Sequence, residues 1–386
     1  MNTNSYALTN MILLPETRFP AGIDYAITVE GKRITAVGLV QDLPESMPTV
    51  DLQGQILTPG FIDLQLNGCG GVLFNTDITI NTLDVMHQAN LKSGCTTFLP
   101  TLITASDEDI KQAVGVVRKY RAMHPERVPG IHLEGPYLNP NRRGIHPEEQ
   151  VRTPDQPMID WLCEQADVIS KITLAPEMCP KGVIRQLCDA GIVISVGHTL
   201  ATCEQVKAAE EEGATFATHL HNAMTPLTSR EPGAVGAVFD SQTMYAGIIA
   251  DGFHLSWENL RIAQRLLQER LVLVTDATPP VGLDSAEGST FDFCGQTVHY
   301  SQGKCSNADG TLGGSALSMV EAVQNSIAQG IARDTAIDMA TRNAACAMGI
   351  EQDYGQIAVG QFANFVVLNG DLNWKATISG GVHGNI

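Results

Sequence analysis

The stretch Ala214-Thr-Phe-Ala-Thr-His-Leu-His-Asn-Ala-Met224 opens as a strand and closes on two histidines. Phe216 and Thr218 suit extended backbone, and Gly213 and Pro226 bound the run. His219 and His221 stand two apart, a spacing that puts both imidazoles on one face of a strand. A lone histidine in such a place is more often a hydrogen-bonded core residue than a ligand. Here there is company. Glu134 ends Gly130-Ile-His-Leu-Glu134, His198 ends Ile192-Val-Ile-Ser-Val-Gly-His198, and Asp276 ends Leu271-Val-Leu-Val-Thr-Asp276. Four apolar runs that each finish on a ligand or acid–base residue point to an active site at strand ends.

Working outward, strands and helical segments alternate from residue 57 to about 350. Candidate strands are 60–66, 96–101, 128–133, 170–175, 192–197, 214–219, 244–250 and 271–275, most of them apolar on both faces. Between them lie helical patterns such as Thr82 to Ser93, Asp107 to Met123, Ala201 to Glu212 and Trp257 to Gln268. Eight strand–helix units predict an α/β fold, a (β/α)8 TIM-like barrel over 57–350. The competing architecture is an open doubly wound sheet, whose Gly-rich dinucleotide fingerprint is absent after the first strand. Residues 1–56 and 351–386 are rich in short β runs, among them Tyr25-Ala-Ile-Thr-Val, Gly355-Gln-Ile-Ala-Val and Asn364-Phe-Val-Val-Leu. The two ends are expected to pair into one small β domain flanking the barrel.

Composition narrows the function. A net charge of −18 argues against nucleic acid or an anionic membrane as partner, though not against a small anionic substrate held in a local pocket. Nine cysteines without CxxC spacing argue against a disulfide framework and for a reducing compartment. The first residues lack a signal-peptide pattern and no apolar run reaches membrane-spanning length, so a soluble cytoplasmic protein is expected.

At the C-terminal ends of barrel strands, Glu134, His198 and His219 make one carboxylate and two imidazoles, a three-donor set with room for water or substrate. One divalent ion per chain is expected, zinc first, with iron, cobalt and nickel compatible with the same donors. A separate carboxylate must then move a proton, and Asp276 suits the task; its bland alternative is a helix N-cap. Gln65 and Asn67 end the first strand, and as neutral amides they are expected to hydrogen-bond around the ligands rather than join them.

The motifs Pro59-Gly-Phe-Ile-Asp-Leu-Gln-Leu-Asn-Gly68, His132-Leu-Glu-Gly-Pro136, Val196-Gly-His198, Thr218-His-Leu-His-Asn-Ala-Met224, Ala250-Asp-Gly-Phe-His254 and Thr275-Asp-Ala277 span most of the chain. In them the sequence resembles the N-acetylglucosamine-6-phosphate deacetylase family of the amidohydrolase superfamily. The resemblance implies a barrel with a small β-sandwich built from both termini, and a homodimer. It implies hydrolysis of the N-acetyl group of N-acetyl-D-glucosamine 6-phosphate to glucosamine 6-phosphate and acetate, in amino-sugar catabolism and cell-wall sugar recycling. Many amidohydrolases carry His-x-His where this chain reads Gln65-Leu-Asn67, so a single metal is expected. By the same resemblance His146, beside Ile145, contacts the substrate near its acetamide and shares the catalysis with Asp276. Asn222, Ala223 and His254, with Asp251 in the same motif, grip the phosphate end, and the Leu312-Gly313-Gly314 loop covers the sugar. Arg230 is a further phosphate candidate, since a guanidinium matches phosphate oxygens, although loop arginines are commonly just solvated. The neighbouring subunit is expected to complete that end of the site. His221 either lines the pocket or orients a neighbour. Other readings are an amidohydrolase acting on a cyclic amide or another N-acylated amine, separable by phosphate dependence, and a non-catalytic barrel, which the full set of acid, base and ligand residues disfavours.

Overall fold

The computed structural model describes residues 5–383. At its centre eight parallel strands run in chain order: β1 (Phe61–Leu66), β2 (Cys95–Ile103), β3 (Ile131–Glu134), β4 (Ile169–Leu174), β5 (Val193–Val196), β6 (Phe216–Ala217), β7 (Tyr245–Ile248) and β8 (Leu271–Leu273). Every residue of β1, β2 and β3 is buried, because helices cover the outer face and neighbouring strands fill the inner one. This is the (β/α)8 barrel, and all eight expected strands are present.

The seam between β8 and β1 is closed differently from the other edges. No regular ladder joins them; one parallel bridge pairs Leu66 with Ala277. Around it the Asp276 N–H donates to the Gln65 carbonyl at 2.9 Å and the Asn67 N–H to the Ala277 carbonyl at 3.1 Å. The Asp63 side chain supplies the rest, accepting from the backbone N–H of Gln65 at 3.1 Å and of Thr275 at 3.2 Å, and from the Thr275 hydroxyl.

The outer helices follow from capping and patterning. Asp107–Met123 starts where the Ser106 hydroxyl accepts the Asp109 N–H, carries three acids in its first turn, and buries Ile110, Val114 and Val117 against the barrel. Cys203–Glu211 begins with a capping box made by Thr202 and Gln205.

Both chain ends enter one seven-stranded sheet, in which Thr49–Pro59 sits between Ser5–Leu13 and Phe365–Leu368. That sheet buries a core of its own, with Leu8, Ile27, Leu57, Phe365 and Ile378. Two readings at the ends differ from the structure. Gly355-Gln-Ile-Ala-Val359 is a turn and not a strand, with Gly355 at φ 89° and the Gln356 N–H taken by the Gln361 side chain at 2.9 Å. The strand Thr49–Pro59 went unread because its first half alternates polar residues and is exposed.

A further three-stranded antiparallel sheet, Thr290–Phe293, Gln296–Ser301 and Lys304–Ser306, follows β8 and was not expected. Its first hairpin turns on Cys294 and Gly295, both at positive φ (53° and 84°). Phe293 and Val298 bring its inner face against Ile103 and Ile145, over the C-terminal mouth of the barrel.

Candidate active site

Glu134, His198 and His219 come from three different strand ends, and their donor atoms converge. His219 Nε2 lies 3.1 Å from Glu134 Oε1 and 3.0 Å from His198 Nε2, and His198 Nε2 lies 3.3 Å from Glu134 Oε1. Donors of a tetrahedral zinc ion, with bonds of about 2.0–2.2 Å, stand roughly 3.3–3.5 Å apart. The triangle therefore fits one divalent ion with little adjustment. His198 Nδ1 lies 2.9 Å from the Arg142 carbonyl; as the N–H donor there, it leaves Nε2 free to ligate. Burial would raise the Glu134 carboxyl, but hydrogen bonds and charge from His198 and His219 hold it well below the usual carboxylate range.

Asp276 lies on the same cavity, 9% exposed. Its Oδ1 accepts from Asn67 Nδ2 at 2.6 Å and from Gln65 Nε2 at 3.2 Å, while its Oδ2 takes no hydrogen bond from the described residues. Burial, and then the charge of Glu134, push its carboxyl above the ordinary carboxylate range. Gln65 Nε2 also reaches Glu134 Oε1 at 3.0 Å, so one amide spans the ligand and the free carboxylate. His146 approaches from the loop after β3, its Nδ1 at 2.8 Å from the Thr104 hydroxyl and its Nε2 4.0 Å from Glu134 Oε2. Burial, followed by the charge of His198, holds this imidazole well below its usual value, so it is neutral at pH 7.

The chain leaves its strands through left-handed kinks at His198 (φ 48°), His219 (25°) and Asp276 (52°), and Ala223 in the loop after β6 also has φ 49°. Such backbone costs a non-glycine residue on the order of 1–3 kcal/mol and collects at functional sites. A strand reading could not foresee this. β6 ends at Ala217, so the two-residue alternation does not carry through to His221. With φ 80°, His221 turns away, its ring 5.8 Å from the Phe239 ring, and it does not line the cavity.

An amidohydrolase family model matches residues 56–384. The chain belongs to the amidohydrolase family. It is 43% identical to an N-acetylglucosamine-6-phosphate deacetylase of Haemophilus influenzae over 97% of this chain and 98% of that one. A Shewanella N-acetylgalactosamine-6-phosphate deacetylase is 39% identical over 84% of this chain and 82% of its own length. The crystal structure of N-acetylglucosamine-6-phosphate deacetylase from Pasteurella multocida superposes with a TM-score of 0.94 at 43% identity, covering 98% of this chain and 99% of that one. The superfamily is metal-dependent, in keeping with the donor triangle.

In this amidohydrolase the cavity beside the triangle measures about 260 Å³. Ile145, His146, Asn222, Ala223, His254, Leu312 and Gly314 line it, as does Asn67. Gly313 sits behind the wall; a Cβ there would stand 2.6 Å from Ile145 Cδ1. Asp251 holds His254 from behind, Oδ2 to Nδ1 at 2.6 Å. Arg230 is not brought in: it is exposed on the loop after β6, outside the cavity. Ile103, Gly144, Phe293 and Thr311 also line the wall and were not foreseen. Phe293 had a readable signal, the alternation Thr290-Phe-Asp-Phe before Cys-Gly. Among the described residues no helix is long and apolar enough to cross a membrane.

Proposed function

We propose that the chain removes the N-acetyl group of N-acetyl-D-glucosamine 6-phosphate, giving D-glucosamine 6-phosphate and acetate, with one divalent ion, zinc by preference, held by Glu134, His198 and His219. The observation that carries the reading is a three-donor triangle sharing one cavity with a carboxylate whose second oxygen is free. The names of the relatives supply the substrate. Bound there, the ion would polarise the amide carbonyl and acidify a water molecule.

This chain's own residues do the rest. Asp276 Oδ2 takes a proton from the attacking water, whose oxygen bonds to the carbonyl carbon. His146, in the tautomer that carries its proton on Nε2, donates to the carbonyl oxygen as negative charge gathers on it. As the C–N bond breaks, Asp276 returns its proton to the departing nitrogen, so the carboxylate is regenerated. Asn222, Ala223 and His254 serve the phosphate end of the cavity, and Asp251 keeps His254 oriented. Arg230 lies outside its own chain's cavity, which agrees with a homodimer in which it acts on the neighbouring copy's phosphate.

The 39% identity to a galactosamine-type deacetylase favours one second reading, in which the 4-epimer, N-acetyl-D-galactosamine 6-phosphate, is the better substrate. Acetate release is measured for both phosphosugars and for unphosphorylated N-acetylglucosamine, on protein carrying one metal per chain. The glucosamine reading expects the first to have the highest kcat/KM and the unphosphorylated sugar to be much poorer. Metal-loaded protein that releases no acetate from N-acetylglucosamine 6-phosphate ends it.

A further inference from the structure

We propose that Asp63, a buried carboxylate on β1 that does not line the cavity, is the positioning residue that aims the Asp276 carboxylate. The deacetylase reading enters only through the substrate used in the assay.

Asp63 is 1% exposed, and no lysine, arginine or histidine among the described residues pairs with it within 4.0 Å. The nearby buried amine, Lys171, donates instead to the Leu64 carbonyl at 2.8 Å. Burying an unpaired carboxylate is expensive, so something must compensate. The compensation is three donors from two residues: the Gln65 N–H, the Thr275 N–H and the Thr275 hydroxyl. Both residues belong to the site. Gln65 reaches Glu134 and Asp276 with its side chain, and Thr275 immediately precedes Asp276.

The location makes this contact decisive. The regular part of β8 ends at Leu273; beyond it the Asp276 N–H donates to the Gln65 carbonyl of β1, and Thr275, one residue earlier, meets β1 through the Asp63 side chain. At Thr275 the side chain of Asp63 does the work that strand pairing does elsewhere. On the opposite side the Ser315 hydroxyl donates to the Thr275 carbonyl at 2.6 Å and the Ser315 N–H to the Asp276 carbonyl at 2.8 Å. Held from both sides, the backbone turns through the φ 52° kink and delivers Asp276 Oδ1 onto Asn67 and Gln65, with Oδ2 left to the cavity. An asparagine at 63 keeps the shape and can still accept the two N–H groups, but its NH2 then faces the Thr275 hydroxyl, which must accept instead of donating while it already accepts the Ala277 N–H at 3.1 Å.

The test uses the full-length, metal-loaded enzyme and four variants: D63N, T275V, T275S and D63N/T275V. D63N and T275V are expected to lose kcat on the order of 10- to 100-fold, with KM within about threefold. Both keep one metal per chain. T275S, which retains the hydroxyl, stays within about threefold of wild type. The double variant is no slower than T275V, because T275V already removes the hydroxyl's contact with Asp63 together with its acceptance of the Ala277 N–H. A crystal structure of D63N is expected to show Asp276 withdrawn from Asn67 while Glu134, His198 and His219 keep their spacing. Folded, metal-loaded D63N with wild-type kcat, or with Asp276 unmoved, overturns the proposal. Where D63N does not fold, wild-type kcat in T275V overturns it. Wild-type protein inert on the phosphosugar would refute the deacetylase reading, and the D63N structure would still decide this one.

Discussion

Replacing Asp276 with asparagine separates proton transfer from everything else the residue does. Asp276 Oδ1 accepts two amide N–H groups, from Asn67 at 2.6 Å and Gln65 at 3.2 Å, and an asparagine carbonyl oxygen accepts the same pair. The amide nitrogen then takes the place of Oδ2, the oxygen with no hydrogen-bond partner among the described residues. No hydrogen bond is lost and no donor triangle atom moves, so metal content should stay at one per chain. Only the base disappears. General acid–base catalysis contributes typically about 10²- to 10⁴-fold. At about 1.4 kcal/mol per tenfold, the barrier rises by roughly 3–6 kcal/mol. Stability should not fall. In the metal-free protein burial and the Glu134 charge disfavour the ionised carboxylate, so there a neutral amide removes a penalty, and the Tm comparison belongs to the metal-free pair. The assay is single-turnover acetate release by metal-counted D276N beside wild type, with Tm from calorimetry. A kcat within tenfold of wild type, at full metal content, would show that another group moves the proton.

Other expectations follow from the same geometry. His219→Ala removes one of three donors, so the metal bound per chain should drop toward zero by elemental analysis; full occupancy would contradict the triangle. Chelation should abolish turnover and lower Tm, since an ion at about 1,000 times its Kd stabilises the fold by about 4 kcal/mol; an unchanged Tm would mean that no ion is bound at the start. Gly314→Ala puts a Cβ 2.8 Å from the Asp276 carbonyl and 2.4 Å from Thr278 Cγ2, at φ 66°, and should lower kcat more than KM; unaltered kinetics would free that loop from any hold on Asp276. Burial pushes the Lys171 amine down to about 7, against about 10.4 in an unfolded chain. The folded state thus resists protonation, so the lysine destabilises it increasingly as pH falls from 10 through 7. Between pH 9 and pH 7 the unfolding free energy of Lys171→Met should therefore gain about 2 kcal/mol on wild type; a pH-independent gap in denaturant titrations would rule this out.

The barrel could be read because its strands are buried on both faces, which makes β8 and the residue after it an apolar run, Leu271-Val-Leu-Val274, that leads to Asp276 two residues on. Glu134, His198 and His219 stood out as the polar residues that such runs cannot otherwise tolerate. The three-stranded sheet at 290–306 stayed hidden because its strands are short, half exposed and mixed with Gln, Thr and Asp. With it went Phe293, a wall of the cavity. His221 was misjudged for another reason: the alternation rule holds within a strand, and this one stops four residues earlier. Asp63 lay in plain view in the first motif, yet nothing local distinguishes a carboxylate that closes a seam from one that faces solvent. Its partner, Thr275, is 212 residues away.

The left-handed kinks at His198, His219 and Asp276 bear on any attempt to transplant this chemistry. Copying the side chains onto the straight strand ends of a foreign scaffold would send each imidazole and carboxylate along the wrong vector. A designer would have to import the bent backbone as well, together with the surrounding contacts that keep it bent.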